Sequence, residues 1–310
     1  MTAGEAMLAH PSMRALLTGA IDYAGLFPPA SLDLSTVVAN YRAYRDGPDG
    51  WALGRLVVPV ARLDELADVA APSWTTAGLR AGAWRLSVLV GDDFAANASR
   101  IDGFNARHAG HAGHAGHAVV DCVETRAATV EQVRALAGVF DGLQHFVELP
   151  VTVELPPLMA AVRDIGGRAK IRTGGVTGDA FPAARDVARF LRAAADAGVP
   201  FKATAGLHHP LRGEYRLTYE PLSPRGTMFG YLNVFLAAAQ ARDGAPVEVL
   251  VNTLEGRNRA MLGITDEEIR WEGGRASAAA LTATREHFAL AFGSCSFREP
   301  LDDLDTLYDR

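Results

Sequence analysis

The sequence predicts an α/β fold, a single (β/α)8 barrel of the TIM type, and three observations point there. Short apolar runs of strand character alternate with amphipathic helical stretches along the chain. A length of 310 residues suits one such barrel. No Gly-x-Gly-x-x-Gly follows the first strand, which counts against an open dinucleotide-binding sheet. Residues 1–310 therefore read as one barrel domain, with an extra N-terminal helix and a C-terminal extension.

The elements follow in order. An amphipathic stretch from Ala6 to Leu17 leads into a first strand over Ala20 to Gly25. Val37, Val38, Tyr41 and Tyr44 fall at helical spacing and predict a helix from Leu34 to Tyr44. Strand two is Leu53 to Val60, followed by Leu63, Leu66 and Val69 on one helical face. Strand three is Trp84 to Val90; Gly91-Asp92-Asp93 then supplies a cap for a helix through Phe94, Ile101 and Phe104. Strand four, Val119 to Glu124, precedes a helix over Val130 to Phe140, and strand five, His145 to Leu149, one over Pro156 to Ile165. Strand six is Ala169 to Arg172. The Ala-rich helix Ala183 to Ala197 stops at Gly198, a residue suited to a helix end, and strand seven is Pro200 to Ala205. Helix Met228 to Ala241, strand eight at Val247 to Asn252 and a closing helix over Ala276 to Phe292 complete the prediction.

One insertion is low in complexity. Residues 108–117 place His108, His111, His114 and His117 at period three within a His-Ala-Gly repeat, in the loop before strand four. An extended chain would align the four imidazoles, so metal capture is conceivable, but no carboxylate or cysteine completes a ligand set. An expanded loop repeat at the barrel floor is the plainer expectation.

A hydrophobic fraction of 49% provides ample core, and a net charge of −6 with both signs dispersed argues against a nucleic-acid surface. Cys122 and Cys295 are too few for a disulfide framework, so a reducing, cytoplasmic setting is expected. Residues 1–20 lack the basic start and apolar centre of a signal peptide, and no apolar run is long enough to span a membrane. The expected partner is a small anionic substrate, with neither nucleic acid nor membrane, and no cofactor or metal is called for. Self-association is left open.

The residues that ask for chemistry are two lysines in strands six and seven, Lys170 and Lys202. Lysine is rarely buried without a partner, because an isolated charge away from water is too costly to persist. In a barrel, alternate residues point inward, and those near the C-terminal strand ends form the active site. That parity collects Asp22 from strand one, Asp121 or Glu124 from strand four, Glu148 from strand five, Lys170 and Arg172 from strand six, Lys202 and Thr204 from strand seven, and Asn252 from strand eight. Thr173, Gly174 and Gly175 open the loop after strand six, and His208 and His209 open the one after strand seven. The stretch Gly206 to Thr227 shows no pattern of its own and reads as a binding loop or lid. Neighbouring cations plus burial would lower a lysine's pKa and free its lone pair, and Asp121 or Glu148 would move protons.

Ala169-Lys170-Ile171-Arg172-Thr173-Gly174 and Phe201-Lys202-Ala203-Thr204-Ala205-Gly206 are similar to the strand-six and strand-seven lysine signatures of deoxyribose-phosphate aldolases, which are class I barrel enzymes. The resemblance implies Lys170 as the imine-forming nucleophile and Lys202 as its modulator. Val120-Asp121-Cys122-Val123 would then correspond to the strand carrying the proton-shuttling aspartate. Arg172 departs from the small residue of that pattern, and the His208-His209 pair has no counterpart in it. Together with Leu207-His208-His209-Pro210, the two segments also resemble a group of bacterial barrel proteins without an assigned activity.

Three readings remain. The first is an aldolase-like lyase with Arg172 gripping a carboxylate or phosphate. The second is a metal-dependent lyase, isomerase or hydrolase using His208 or His209 with Glu148 or Glu124. The third is a non-catalytic small-molecule-binding barrel. A plainer alternative for the lysines is a set of buried ion pairs with Glu148 and Asp22 that fixes the barrel. Cys295, in Gly293-Ser294-Cys295-Ser296-Phe297, is read as a packed small residue, and Asn233 as an interhelix or surface amide.

Overall fold

The computed structural model describes residues 7–76, 82–111, 114–305 and 307. Eight parallel strands close into a barrel: β1 Ile21–Tyr23, β2 Leu53–Pro59, β3 Trp84–Leu89, β4 Ala118–Arg126, β5 Gln144–Glu148, β6 Arg168–Arg172, β7 Phe201–Thr204 and β8 Ala289–Ser294. Each strand lies between its neighbours in sequence, and β8 pairs with β1, so no edge is left open. Helices cover the outside, and the extra N-terminal helix Pro11–Leu17 packs beside Ala278–His287.

Local chemistry explains where the helices start and stop. Asp33 accepts a hydrogen bond from the Thr36 amide at 2.9 Å, and Asp93 one from Ala96 at 3.1 Å. Thr129 and Gln132 form a reciprocal capping box. Helix Ala184–Ala197 ends at Gly198 in the left-handed region, where a β-carbon would be strained. Helix Tyr231–Arg242 is apolar on nearly every side because it is buried along most of its length, with Tyr231 stacked on Phe292 of β8 at 5.2 Å. Its Asn233 donates to the carbonyls of Thr253 and Gly256, and so is an interhelix amide.

The final barrel strand is not where the sequence suggests. Val247–Glu255 is a helix, in which Leu250, Thr253 and Leu254 are buried at helical spacing against the helices before it. Its β-branched composition favoured a strand, and tertiary packing overrode that preference. The true β8 lies in what reads as the end of the closing helix, which stops at His287 with no glycine or proline to mark the change. Between them a three-stranded antiparallel sheet, Gly263–Ile264, Glu268–Trp271 and Gly274–Ser277, was not foreseen. The stretch expected to be patternless after β7 contains an antiparallel hairpin, Gly213–Arg216 with Arg225–Met228.

Within the histidine repeat, Gly110–His111 pairs antiparallel with His114–Ala115, so the chain reverses and does not run on as one extended segment; residues 112 and 113 lie outside the described residues. His108 and His117 both pack on Trp74, the latter stacked at 5.8 Å. No helix among the described residues is long and apolar enough to cross a membrane.

Candidate active site

Strand register places the charged residues side by side. Arg126 of β4 neighbours Glu148 of β5, which neighbours Lys170 of β6, which neighbours Lys202 of β7. Arg126 and Glu148 end their strands, Lys170 is the middle residue of β6 and Lys202 the second of β7, and all but Glu148 line a cavity shared with the loops that follow β1, β6, β7 and β8, the end at which barrels build active sites.

Their side chains form one alternating network. Lys202 Nζ donates to Asp22 at 2.6 Å and to Glu124 Oε1 at 2.7 Å. The other oxygen of Glu124 lies 2.8 Å from Lys170 Nζ, which also sits 2.8 Å from Glu148. Arg126 Nε is 3.2 Å from the second oxygen of Glu148. Ser87 donates to Glu124 at 2.6 Å, and the Arg55 amide donates to Asp22 at 2.7 Å. A side chain at position 54 would strike the Asp22 carboxylate, so Gly54 is what lets the two strands hold it there.

Lys202 is wholly buried and Lys170 is 5% exposed. Burial pulls the pKa of Lys202 down, but Asp22 and Glu124 outweigh it and the pKa ends above its ordinary value. Burial likewise works to raise that of Glu124, yet the two ammonium groups hold it well below the usual carboxylate range. The expected effect, cations and burial freeing a lysine lone pair, is therefore reversed at Lys202: carboxylates are interleaved between the cations. The two amines differ in how they are held. Lys202 makes two aligned hydrogen bonds and lies beneath the pocket with Phe146 5.5 Å away, whereas Lys170 touches its carboxylates less directionally.

Above the network lies a cavity of about 320 Å³, lined by Lys170, Lys202, Glu124, Arg126 and Arg172 together with Pro28, Pro29, Cys295 and His208. Gly175, Thr204, Ala205 and Gly206 also line it. Ala205 adopts a positive φ of 63°, strained for a residue with a β-carbon, and its carbonyl is held by the Thr173 hydroxyl at 2.7 Å. Thr173 is thus a tie between the loops after β6 and β7. Gly174 packs against Phe181, which fills the space a side chain would need.

Three expected site residues lie elsewhere. Asp121 pairs with Arg55 and Arg85 near the opposite, N-terminal end of the barrel, the Arg55 contact being 2.6 Å. The pairing shift between Leu86 and Ser87 makes Asp121 the extra residue of a β-bulge, so Glu124 supplies the inward carboxylate of this strand. Asn252 sits on helix Val247–Glu255 and lines a separate cavity of about 540 Å³ with Asn233 and Trp271. His209 turns to Asp303 and stacks on Tyr215, while His208 Nδ1 is 3.2 Å from Glu299; neither is paired with Glu148. Among the described residues no group of three or more His, Cys, Asp or Glu side chains is arranged to hold a metal ion.

Sequence reasoning missed Ser87, Arg126 and Cys295. The spacing of Glu124 and Arg126 repeats that of Lys170 and Arg172 on β6, two strands along, which was the legible signal for Arg126. Ser87 and Cys295 carry no comparable mark.

No known protein family matches the chain, and no curated protein is similar to it. Among solved structures, a candidate lyase/mutase from Burkholderia cenocepacia J2315 is similar over 66% of this chain and 75% of its own, with 17% identity and a TM-score of 0.37. A likeness of that degree carries no inference about chemistry.

Proposed function

We propose that this chain is an imine-forming carbon–carbon lyase of the aldolase kind, acting on a small anionic carbonyl compound, with Lys170 as the nucleophile. The observation that carries the reading is the Glu124 carboxylate bridging two buried lysines beneath a cavity at the C-terminal end of the barrel.

The division of labour follows from how each amine is held. Lys202 stays protonated between Asp22 and Glu124 and supplies a fixed positive charge. Lys170 lies 2.8 Å from both Glu124 and Glu148, and Glu148, the carboxylate not shared with Lys202, takes its proton. The neutral amine then adds to the substrate carbonyl; returning the proton to the carbinolamine oxygen expels water and leaves an iminium ion. When the bond one carbon away breaks, its electron pair moves toward the iminium nitrogen, giving an enamine, while a carboxylate accepts the proton of the departing hydroxyl. Protonation of the enamine carbon and addition of water release the product and restore Lys170. Arg172 and Arg126, both at the cavity, suit a carboxylate or phosphate on the substrate.

Borohydride trapping with small aldehydes and ketones bearing a carboxylate or phosphate tests this. The expected result is a reduced adduct located by peptide mass on Lys170 and absent from Lys170→Met. Absence of any adduct across the panel, or an adduct confined to Lys202, refutes it.

A further inference from the structure

After carbon–carbon cleavage, the enamine on Lys170 needs a proton at carbon before the product can leave. Most side chains lining the cavity are ill suited to give one. Glu124 is held ionised between two ammonium groups and brings no proton of its own. Lys202 is wholly buried and tied to Asp22 and Glu124. Arg126 and Arg172 do not release protons.

His208, in the loop after β7, lines the same cavity and is differently held. Its Nδ1 edge is engaged: it lies 3.2 Å from Glu299 Oε2, 3.3 Å from the Ser294 hydroxyl and 3.9 Å from Cys295 Sγ. Glu299 is fixed in turn by Tyr219, whose hydroxyl donates to the same oxygen at 2.8 Å. Nε2, on the opposite edge of the ring, has no hydrogen-bond partner among the described residues, yet it is not sealed from solvent as a buried orphan. With His208 only 6% exposed, the cavity is the opening that this nitrogen meets. Burial opposes charge on the ring, but the groups at Nδ1 outweigh it and raise its pKa, so the imidazole has a proton to give at neutral pH. A cavity of about 320 Å³ is small for a ligand site, and a substrate joined to Lys170 meets the other side chains that line it.

We propose that His208 is the acid that protonates the enamine carbon, presenting Nε2 to the substrate while Glu299 fixes the ring through Nδ1; this role presupposes the imine on Lys170 proposed above. Nε2–H gives its proton to the carbon. The double-bond pair of the enamine forms the new carbon–hydrogen bond, and the nitrogen lone pair forms the C=N bond of the iminium ion. His208 is left neutral until solvent returns a proton. In reverse, neutral Nε2 removes a hydrogen from the carbon beside the iminium, and the electron pair returns to the enamine.

Hydrogen exchange beside the carbonyl in deuterium oxide reads this step without any cleavage. Pyruvate, levulinate and hydroxyacetone phosphate serve as probes, followed by proton NMR, with borohydride trapping of the same probes alongside. Wild type is expected to exchange the hydrogens of each probe that forms the Lys170 adduct. His208→Asn keeps an amide donor where Nδ1 stands and removes Nε2. Its exchange should fall at least about a hundredfold, the scale of general acid–base catalysis, while the Lys170 adduct still forms. His208→Gln puts an amide where Nε2 stands, able to hydrogen-bond but not to hand over a proton, and should lose as much. Cys295→Ser, which removes the thiol lining the same cavity, should exchange within about threefold of wild type, and a hundredfold loss there would give the role to the thiol and overturn the proposal. A His208 variant that forms the adduct and exchanges at the wild-type rate overturns it, as does a wild-type adduct without exchange. If neither His208 variant folds, Glu299→Gln decides: exchange slower by at least about tenfold with the adduct intact upholds the role, and wild-type exchange overturns it. No adduct with any probe refutes the imine itself, and the role of His208 falls with it.

Discussion

Replacing Glu124 by glutamine keeps the shape of the bridging side chain and removes its charge. In the wild type, one oxygen serves Lys202 and Ser87, and the other faces Lys170 at 2.8 Å. A glutamine can keep its carbonyl on one lysine, but its amide then points donor hydrogens at the other ammonium. Breaking a buried pair in this way costs about 3–5 kcal/mol. Unfolding entropy of about 2.1 cal/mol/K per residue gives roughly 0.65 kcal/mol/K for a chain of 310 residues, so a 4 kcal/mol loss lowers Tm by about 6 °C. The dependence on pH has a definite sign. Glu124 has a folded pKa depressed below its ordinary 4.5, so its stabilisation is complete above that value and is lost as pH falls toward the folded pKa. Lys202 is shifted upward, so its contribution is complete below its ordinary 10.5 and is lost only as pH rises through the folded value; it adds no slope in acid. Thermal unfolding of wild type and Glu124→Gln should therefore differ by a constant gap from pH 7 to about 5, narrowing below about 4.5. A Tm loss under about 1.5 °C, or a gap that stays unchanged down to pH 3, would refute an ionised, shared Glu124.

Two further substitutions probe the frame around the network. Gly54→Ala pushes a methyl group into the Asp22 carboxylate and the Gly19 and Ile21 carbonyls, and should destabilise by about 1–3 kcal/mol in chemical unfolding, with less adduct at Lys170. Asp121→Asn breaks the pairs with Arg55 and Arg85 at the other end of the barrel; it should lower Tm yet leave borohydride trapping at Lys170 within about twofold of wild type, and a tenfold loss of trapping would return Asp121 to the proton-transfer role.

Much of the barrel can be read from periodicity, because each of the first seven strands is a short apolar run followed by a helical stripe that must cover it. Lys170 and Lys202 stand out for the same reason, as charges in runs that otherwise bury only apolar atoms, and alternation then gives Arg172 and Thr204 a common face with them. Where local preference and tertiary environment disagree, the sequence misleads. Val247–Glu255 is rich in strand formers but buries a helical stripe against neighbouring helices, whereas Ala289–Ser294 is helix-like in composition and completes the barrel because closure needs a strand between β7 and β1. One inserted residue in β4 decides between Asp121 and Glu124, and a bulge of that kind depends on pairing with β3, which no single strand encodes. The meeting of His208 with Cys295 and Glu299 is likewise a product of closure, since contacts between residues more than eighty positions apart are fixed by how strands and loops pack. Residue type and spacing determined which charges must find partners inside this protein; the folded barrel alone decided which partners they found, because that choice rests on distances set by register and closure.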